Sequence, residues 1–500
     1  MAQRHPSKVK MTVRFRSPAP MFALNQSLWL DEATTARVLQ QFNFSQIVSQ
    51  FSPHDFHPPL YYLLMKLWTN LFGYSEIALR MPSILFWLGT GWLVYLIGKK
   101  LKNKMTGQWA AALFLFNPLI VYYAQEARMY MMATFLVTVA LYYLFKVLDT
   151  QFFVDLTGPV GGFTPASARK DNPLRAVGSP STSATRQIIL FNFFIFLSFL
   201  TFYGSVFFIG AIYLYLLIKK EFRMLLLLLP GFVLALIIVS PLLFQQYVNS
   251  REQLALVANW GNVLGTVNVK NLLLIPLKFS IGRISWEPKT LYYALSGLWT
   301  SFVFFFVILN SFQDLLSKNQ MLNQVQHDKR RMLLFLFVTP LVLGLIFSFF
   351  SPLLQYFRFI YLIPLMALLL VLGADKKLQR LVLLVGFVGF SSIYLFNPVF
   401  HREDWKSLAG SLKNVNKVYM IPSSSDPLKY YKSKINVQDI RKVNLKEKEI
   451  VVIPYTADIH GVDYKNILTK EGYVQTGINT VRGLSWEEWI FKSDSESSSE

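Results

Sequence analysis

Residues 28–38 read LWLDEATTARV, and no basic residue follows the adjacent acids Asp31 and Glu32 until Arg37. One reading of the pair is structural. Asp31 caps a helix over ATTARVLQQF and Glu32 occupies its first turn, where the helix dipole favours negative charge. The other reading is catalytic, and the two are compatible, because a capped helix also holds a reacting carboxylate still. A second group lies in YYAQEARMY, residues 122–130, where Glu126 and Arg128 stand in a short turn between apolar runs. Ionisable groups at such depth are costly and read as functional by default, against a plainer reading in which they mark the water boundary. The stretch LLQYFRFIYLIP, residues 353–364, puts Tyr356 and Arg358 where another apolar run begins. An interfacial tyrosine and a snorkelling arginine are also common at such places. His57, just before Pro58 and Pro59, adds an imidazole that could touch an acceptor or a metal and is read first as structural.

Acids beside guanidinium groups at a membrane surface suit one reaction class. The phosphate of a lipid-linked phosphosugar would be held by bidentate, charge-assisted hydrogen bonds. A carboxylate would take the proton of an incoming acceptor hydroxyl. Stabilising the departing lipid phosphate would supply much of the rate.

The rest of the chain supports the membrane setting. Hydrophobic residues make up 53% and charged residues only 15% of the 500, with a mean hydropathy of +0.38, values typical of integral membrane proteins. The net charge of +21 does not signal nucleic acid. The cations come in short clusters directly after apolar runs, at 99–103, 219–223, 328–331 and 375–380. That is the pattern of cytoplasmic loops facing inner-leaflet lipid. The absence of cysteine excludes a disulfide framework and thiolate chemistry.

Apolar segments of spanning length occur at 79–98, 106–122, 129–148, 224–244, 291–311, 332–350, 359–373 and 380–397. The run from Ile188 to Ile218 is too long for one span and reads as two short ones broken near Tyr203 and Gly204. That makes about ten helices. With the basic clusters inside, residues 27–78, 123–128, 245–290, 351–358 and all after 398 lie outside, while 149–187 and 312–331 lie inside. Within the inner segment 149–187, the small, polar stretch 161–186 is expected to be a disordered cytoplasmic insertion. In the first outer loop, 28–78, PPLYYLLMKLWTNLF predicts a helix too short to cross a bilayer and suited to lie flat in the interface. KVYMIPS and EIVVIPY read as short buried strands of a small extracytoplasmic α/β domain over 401–492, and the tail 493–500 as disordered.

In their order along the chain, LWLDEA, HPPLYYLLMKLW, GYSEIALRMPS and YYAQEARMY together resemble the GT-C glycosyltransferases. The likeness is nearest to the family 39 group of protein O-mannosyltransferases and the bacterial Rgt-type sugar transferases; the aminoarabinose transferase of lipid A is a more distant cousin. The resemblance covers residues 27 to about 400, the transmembrane glycosyltransferase domain, and FNPVFHREDWKSLAGSL looks like the junction to the soluble tail of bacterial members. It implies an α-helical polytopic membrane protein of GT-C fold. It also implies that Asp31 is the catalytic base with Glu32 beside it. Glu126 would position acceptor or metal, and Arg358 would hold the donor phosphate together with Arg128 and Tyr356. The family's first transmembrane helix has no counterpart in the basic segment 1–27, and Thr201-Phe202-Tyr203 stands where relatives often have a T-H-Y turn.

The expected activity is a hexosyl or pentosyl transfer from a polyprenyl-phosphate-linked sugar to a hydroxyl acceptor on lipid, glycan or protein. It would run with inversion at the outer face of the cytoplasmic membrane. No cofactor is implied with certainty, and a divalent metal is left open. A transporter of lipid-linked glycans is the rival; it predicts charges inside spans and an internal repeat, whereas the expected spans are nearly free of charge, the acids cluster on one side, and the sequence shows no repeat. A non-catalytic GT-C relative is the third reading.

Overall fold

The structure, a computed structural model, describes residues 23–156, 182–257, 259, 265–316, 321–443 and 447–492. The tail 493–500, residues 1–22 of the basic amino-terminal segment and residues 157–181 of the inner insertion lie outside the described residues. The chain forms two units, one of residues 41–255 and 261–394, the other of residues 1–40, 256–260 and 395–500.

The larger unit is a helical bundle. Among the described residues, eight helices are long and apolar enough to cross a membrane: Glu76–Leu101, Tyr130–Asp149, Ala184–Thr201, Pro230–Glu252, Lys289–Leu309, Asp328–Ser348, Tyr356–Gly373 and Lys377–Phe396. The count of about ten arose from two further segments. Tyr203–Ile218 is apolar but shorter, and 106–122 is divided between helices Lys104–Leu115 and Pro118–Tyr123. The division falls at Asn117, whose side chain caps the second helix by accepting from the amides of Leu119 and Ile120, with Pro118 at the first helical position. Every residue of Ile363–Gly373 is buried, so this all-apolar helix runs through the interior of the bundle. The Asp149 carboxylate takes Lys100 and Lys329 at 2.7 Å each, joining the ends of three helices and placing two of the basic clusters at one end of the bundle. The short helix expected after the proline pair forms over Leu60–Phe72. The expected loop 245–290 is partly helical: Pro230–Leu256 runs on into it and Val269–Ile281 forms within it, capped by Asn268.

The smaller unit carries a five-stranded sheet, β1 Lys417–Met420, β2 Asn436–Asp439, β3 Glu449–Val452, β4 Tyr473–Val481 and β5 Leu484–Phe491, in the order β2-β1-β3-β5-β4. The first three are parallel, and β5 is antiparallel to both its neighbours. Strand alternation sends Val418 and Met420 to one face with Trp405, Leu408 and Leu428, and Tyr419 and Ile421 to the other with Tyr464 and Leu468. Helix Leu30–Gln41 belongs to this unit up to Gln40. Its leading segment is pinned to the sheet's helices: Tyr431 Oη accepts from the Leu28 amide at 2.9 Å, Ser27 Oγ from the Lys406 amide at 3.2 Å, and Arg37 lies 3.8 Å from Asp426.

Candidate active site

In the larger unit the turn holding Glu126 and Arg128 is wholly enclosed, with every residue from Asn117 to Thr134 buried. The Asn117 amide group donates to the Phe279 carbonyl at 2.8 Å, and Ser83 Oγ to the Glu126 carbonyl at 2.6 Å. These bonds fix the turn from two sides. Tyr122 Oη donates to Glu126 Oε1 at 2.9 Å, and the same hydroxyl accepts from Arg283 Nη1 at 2.8 Å. Tyrosine thus relays a guanidinium to a carboxylate, with the Arg283 guanidinium also 4.8 Å above the Tyr122 ring. Gly282 makes this possible. It sits at φ +70°, and a Cβ there would meet Pro118 backbone atoms at 2.9–3.0 Å, so only glycine lets the loop bring Arg283 this close.

Arg283 was not among the residues singled out in the sequence, and neither was Lys278. Lys278 Nζ donates to Tyr292 Oη at 3.0 Å and to the Ile284 carbonyl at 3.3 Å. Burial, with Arg283 and Lys289 nearby, pushes its ammonium down to about 8. The available signal was slight: isolated cations in a long segment free of basic clusters.

Arg128 belongs to a second group. Its Nη1 reaches Tyr62 Oη at 3.5 Å, and beside it His57 Nδ1 lies 3.3 Å from Asp55 Oδ1. Burial pushes the Asp55 carboxyl up, but His57, the Arg128 guanidinium and the Tyr62 hydroxyl outweigh it and hold the group below its ordinary value. The loop is held in place by Gln246, whose amide donates to the carbonyls of Ser52 at 2.7 Å and His57 at 3.1 Å, and by Asn249, which donates to Pro53 at 2.8 Å. Asp55 is the acid the sequence reading passed over. Its signal was a carboxylate two residues before a histidine in a proline-flanked loop.

Arg358 donates to the Pro352 carbonyl at 3.3 Å. An aromatic chain joins its turn to that of Glu126: Tyr122 packs on Tyr123 at 4.9 Å, Tyr123 on Tyr130 at 5.1 Å, Tyr130 on Phe357 at 5.7 Å, and Phe357 on Tyr356 at 5.7 Å. Among the described residues no group of three or more His, Cys, Asp and Glu side chains stands where it could hold a metal ion.

Asp31 and Glu32 lie in the smaller unit. The helix begins at Leu30, and its first bond runs from the Ala33 amide to the Trp29 carbonyl at 2.9 Å. Asp31 is therefore not the cap the sequence suggested; both acids sit in the first turn, where the dipole still favours them. Glu32 is 1% exposed, whereas Asp31 is half-buried. Near Asp31 lie Tyr455, Glu403 and Arg402; burial and the two carboxylates push the Tyr455 hydroxyl well above its ordinary value, against Arg402.

Residues 56–163 match the family described as dolichyl-phosphate-mannose-protein mannosyltransferase. No curated protein matches the chain. Among solved structures, the chain is similar to ArnT from Cupriavidus metallidurans bound to undecaprenyl phosphate, with 12% identity, a TM-score of 0.43 and coverage of 93% of this chain and 95% of that one. It is also similar to the oligosaccharyltransferase AglB from Archaeoglobus fulgidus in complex with an inhibitory peptide and a dolichol-phosphate, with 10% identity, a TM-score of 0.47 and coverage of 92% and 70%. The stretch that matches this family lies across the opening helices of the bundle, and among the described residues eight helices are long and apolar enough to cross a membrane.

Proposed function

We propose that this protein transfers a hexosyl or pentosyl unit from a polyprenyl-phosphate-linked donor to a hydroxyl acceptor, at the outer face of the cytoplasmic membrane. The acceptor oxygen attacks the anomeric carbon as the bond from that carbon to the phosphate oxygen breaks. The configuration inverts, and the lipid phosphate leaves as an anion. Asp31 takes the acceptor's proton, and buried Glu32 beside it holds the first turn in place. Arg128 and Arg358, with Tyr356, bind the donor phosphate and stabilise it as it departs. Glu126, fixed through Tyr122 and Arg283, positions the reacting groups. His57 orients Asp55 beside Arg128, a positioning role that requires no contact with the acceptor.

The observation that carries the reading is the enclosed turn with Glu126 and Arg128 only 4% and 6% exposed, inside the stretch that matches the mannosyltransferase family. A bundle pays a high desolvation cost for such groups, and function is the usual reason they persist. The test is incubation of membranes carrying the protein with a panel of radiolabelled polyprenyl-phosphate sugars. Label should pass from one donor to an acceptor fraction and release lipid phosphate. An Asp31→Asn variant of equal abundance should not do so. Wild-type turnover in that variant removes Asp31 from catalysis, and indifference to every donor leaves the non-catalytic reading in place.

A further inference from the structure

The smaller unit has a feature that the transfer reaction, as described, leaves unused. β1 is flanked by two parallel strands, and the helices that follow β1 and β3 pack on opposite faces: Asp426–Tyr431 through Leu428 on one, Tyr464–Lys470 through Leu468 on the other. The chain therefore leaves the carboxyl ends of β1 and β3 in opposite directions. That is a topological switch point, the place where open α/β sheets bind ligands.

The two loops leaving those ends are matching segments, MIPSSSD at 420–426 and VIPYTAD at 452–458. Their equivalent hydroxyls meet across the switch point, Ser424 Oγ to Thr456 Oγ1 at 2.7 Å. Thr456 sits at φ +63°, a left-handed conformation that β-branched residues rarely adopt and that clusters at ligand sites. Around this point stand Tyr455, Asp426 with Arg37, and Asp31 with Glu403 and Arg402, while the Arg402 guanidinium lies 3.6 Å over the Trp29 ring. Three buried atoms here, Glu403 Oε2, Arg37 Nε and Trp29 Nε1, make no hydrogen bond within the described residues. Buried polar atoms of that kind call for a partner.

The chemistry of the lining selects the ligand. A phosphate or nucleotide needs a glycine-rich loop whose amides close on it. Neither PSSSD nor PYTAD contains a glycine, and an anion there would face Asp426, Glu403 and Asp31. A neutral polyol fits, because each sugar hydroxyl both donates and accepts, and this lining offers hydroxyls, carboxylates, guanidinium groups and aromatic rings.

We propose that the switch point between β1 and β3 binds the acceptor, and that the acceptor is the neutral, polyhydroxylated end of a glycan. This rests on the reading of Asp31 as general base and names the substrate class that Asp31 serves. Tyr455 and Ser424 are then specificity-determining residues.

The experiment uses the full chain in lipid nanodiscs. Saturation-transfer NMR is recorded with the methyl glycosides of glucose, mannose and galactose as probes, and inorganic phosphate and AMP as competitors. At least one glycoside should bind, and neither competitor should displace it. Tyr455→Phe and Ser424→Ala, each removing one hydroxyl, should weaken that binding by about tenfold without changing binding of a polyprenyl-phosphate sugar. Failure of all three glycosides to bind, displacement by phosphate or AMP, or unchanged binding in both variants overturns the proposal. Donor turnover on the same preparation separates the two readings. Turnover without glycoside binding leaves the transferase and sinks this site, whereas glycoside binding without turnover of any donor does the reverse.

Discussion

Tyr122→Phe removes a single oxygen, and the structure sets what that oxygen does. Tyr122 Oη donates to Glu126 Oε1 at 2.9 Å and accepts from Arg283 Nη1 at 2.8 Å. Hydrogen bonds to charged groups contribute about 1.5–3 kcal/mol each, so losing both would cost about 3–6 kcal/mol. Phenylalanine keeps the ring contacts to Tyr123 at 4.9 Å and Tyr394 at 5.2 Å and the cation above the ring. Arg283 and Glu126 also still attract each other across the space the oxygen leaves. The expected destabilisation is therefore about 2–4 kcal/mol. The assay is equilibrium unfolding in mixed detergent micelles of the wild type, Tyr122→Phe, Arg283→Met and the double variant. Because the relay is one connected network, the single losses should fail to add by at least about 1 kcal/mol. A loss below about 0.5 kcal/mol for Tyr122→Phe, or additive singles, would show that the relay does not hold Glu126, and its positioning role would fall with it.

Lys278 has a folded-state value near 8, down from 10.5. Between those values the unfolded chain holds a proton that the folded one has released, so stability should rise as the pH climbs through that window, and Lys278→Met should flatten the rise. Asp55 is the opposite case: its depressed value stabilises the fold at neutral pH, and that contribution should disappear as the pH falls below the ordinary 3.8. Asp55→Asn should remove this acid-side loss in the same unfolding assay. Arg128→Lys keeps the charge but not the planar fork, so the donor KM should rise with the fold intact; an unchanged KM takes Arg128 out of phosphate binding. A cysteine placed at exposed Ser49, in a chain that has none of its own, should react with an impermeant maleimide from outside the cell. Reaction only after the membrane is opened would refute an outer-face site.

The membrane helices were legible because a span must be apolar along its whole length, and the basic clusters mark their ends. The division at Asn117 was less visible, since an apolar run reads alike whether it forms one helix or two, and only the cap and Pro118 distinguish them. Glu126 and Arg128 stood out because charge is scarce near apolar runs. Arg283 did not, because what makes it notable is the close approach to Tyr122 allowed by Gly282, a contact between segments far apart in the chain, and Lys278 did not, because its burial and its bonds to Tyr292 and the Ile284 carbonyl are set by how the chain folds after its helix. Asp55 was obscured by the proline pair beside it, which drew a structural reading of the whole loop. The cap assigned to Asp31 failed by two residues, within the usual precision of a helix boundary read from sequence.

The bond from the Leu28 amide to Tyr431 Oη joins residues 403 positions apart. At about 5–20 residues per second, the ribosome reaches Tyr431 roughly 20–80 s after it passes Leu28. Until then the segment carrying Asp31 and Glu32 has no sheet to dock on. Most of the bundle's helices are made in the interval. The acid pair is thus among the first residues synthesised and the last to be seated, and a chain stalled or cut before the sheet would carry all eight of the long apolar helices among the described residues yet leave Asp31 and Glu32 undocked. Seating this late makes the carboxyl-terminal sheet the last element on which the position of the acid pair depends.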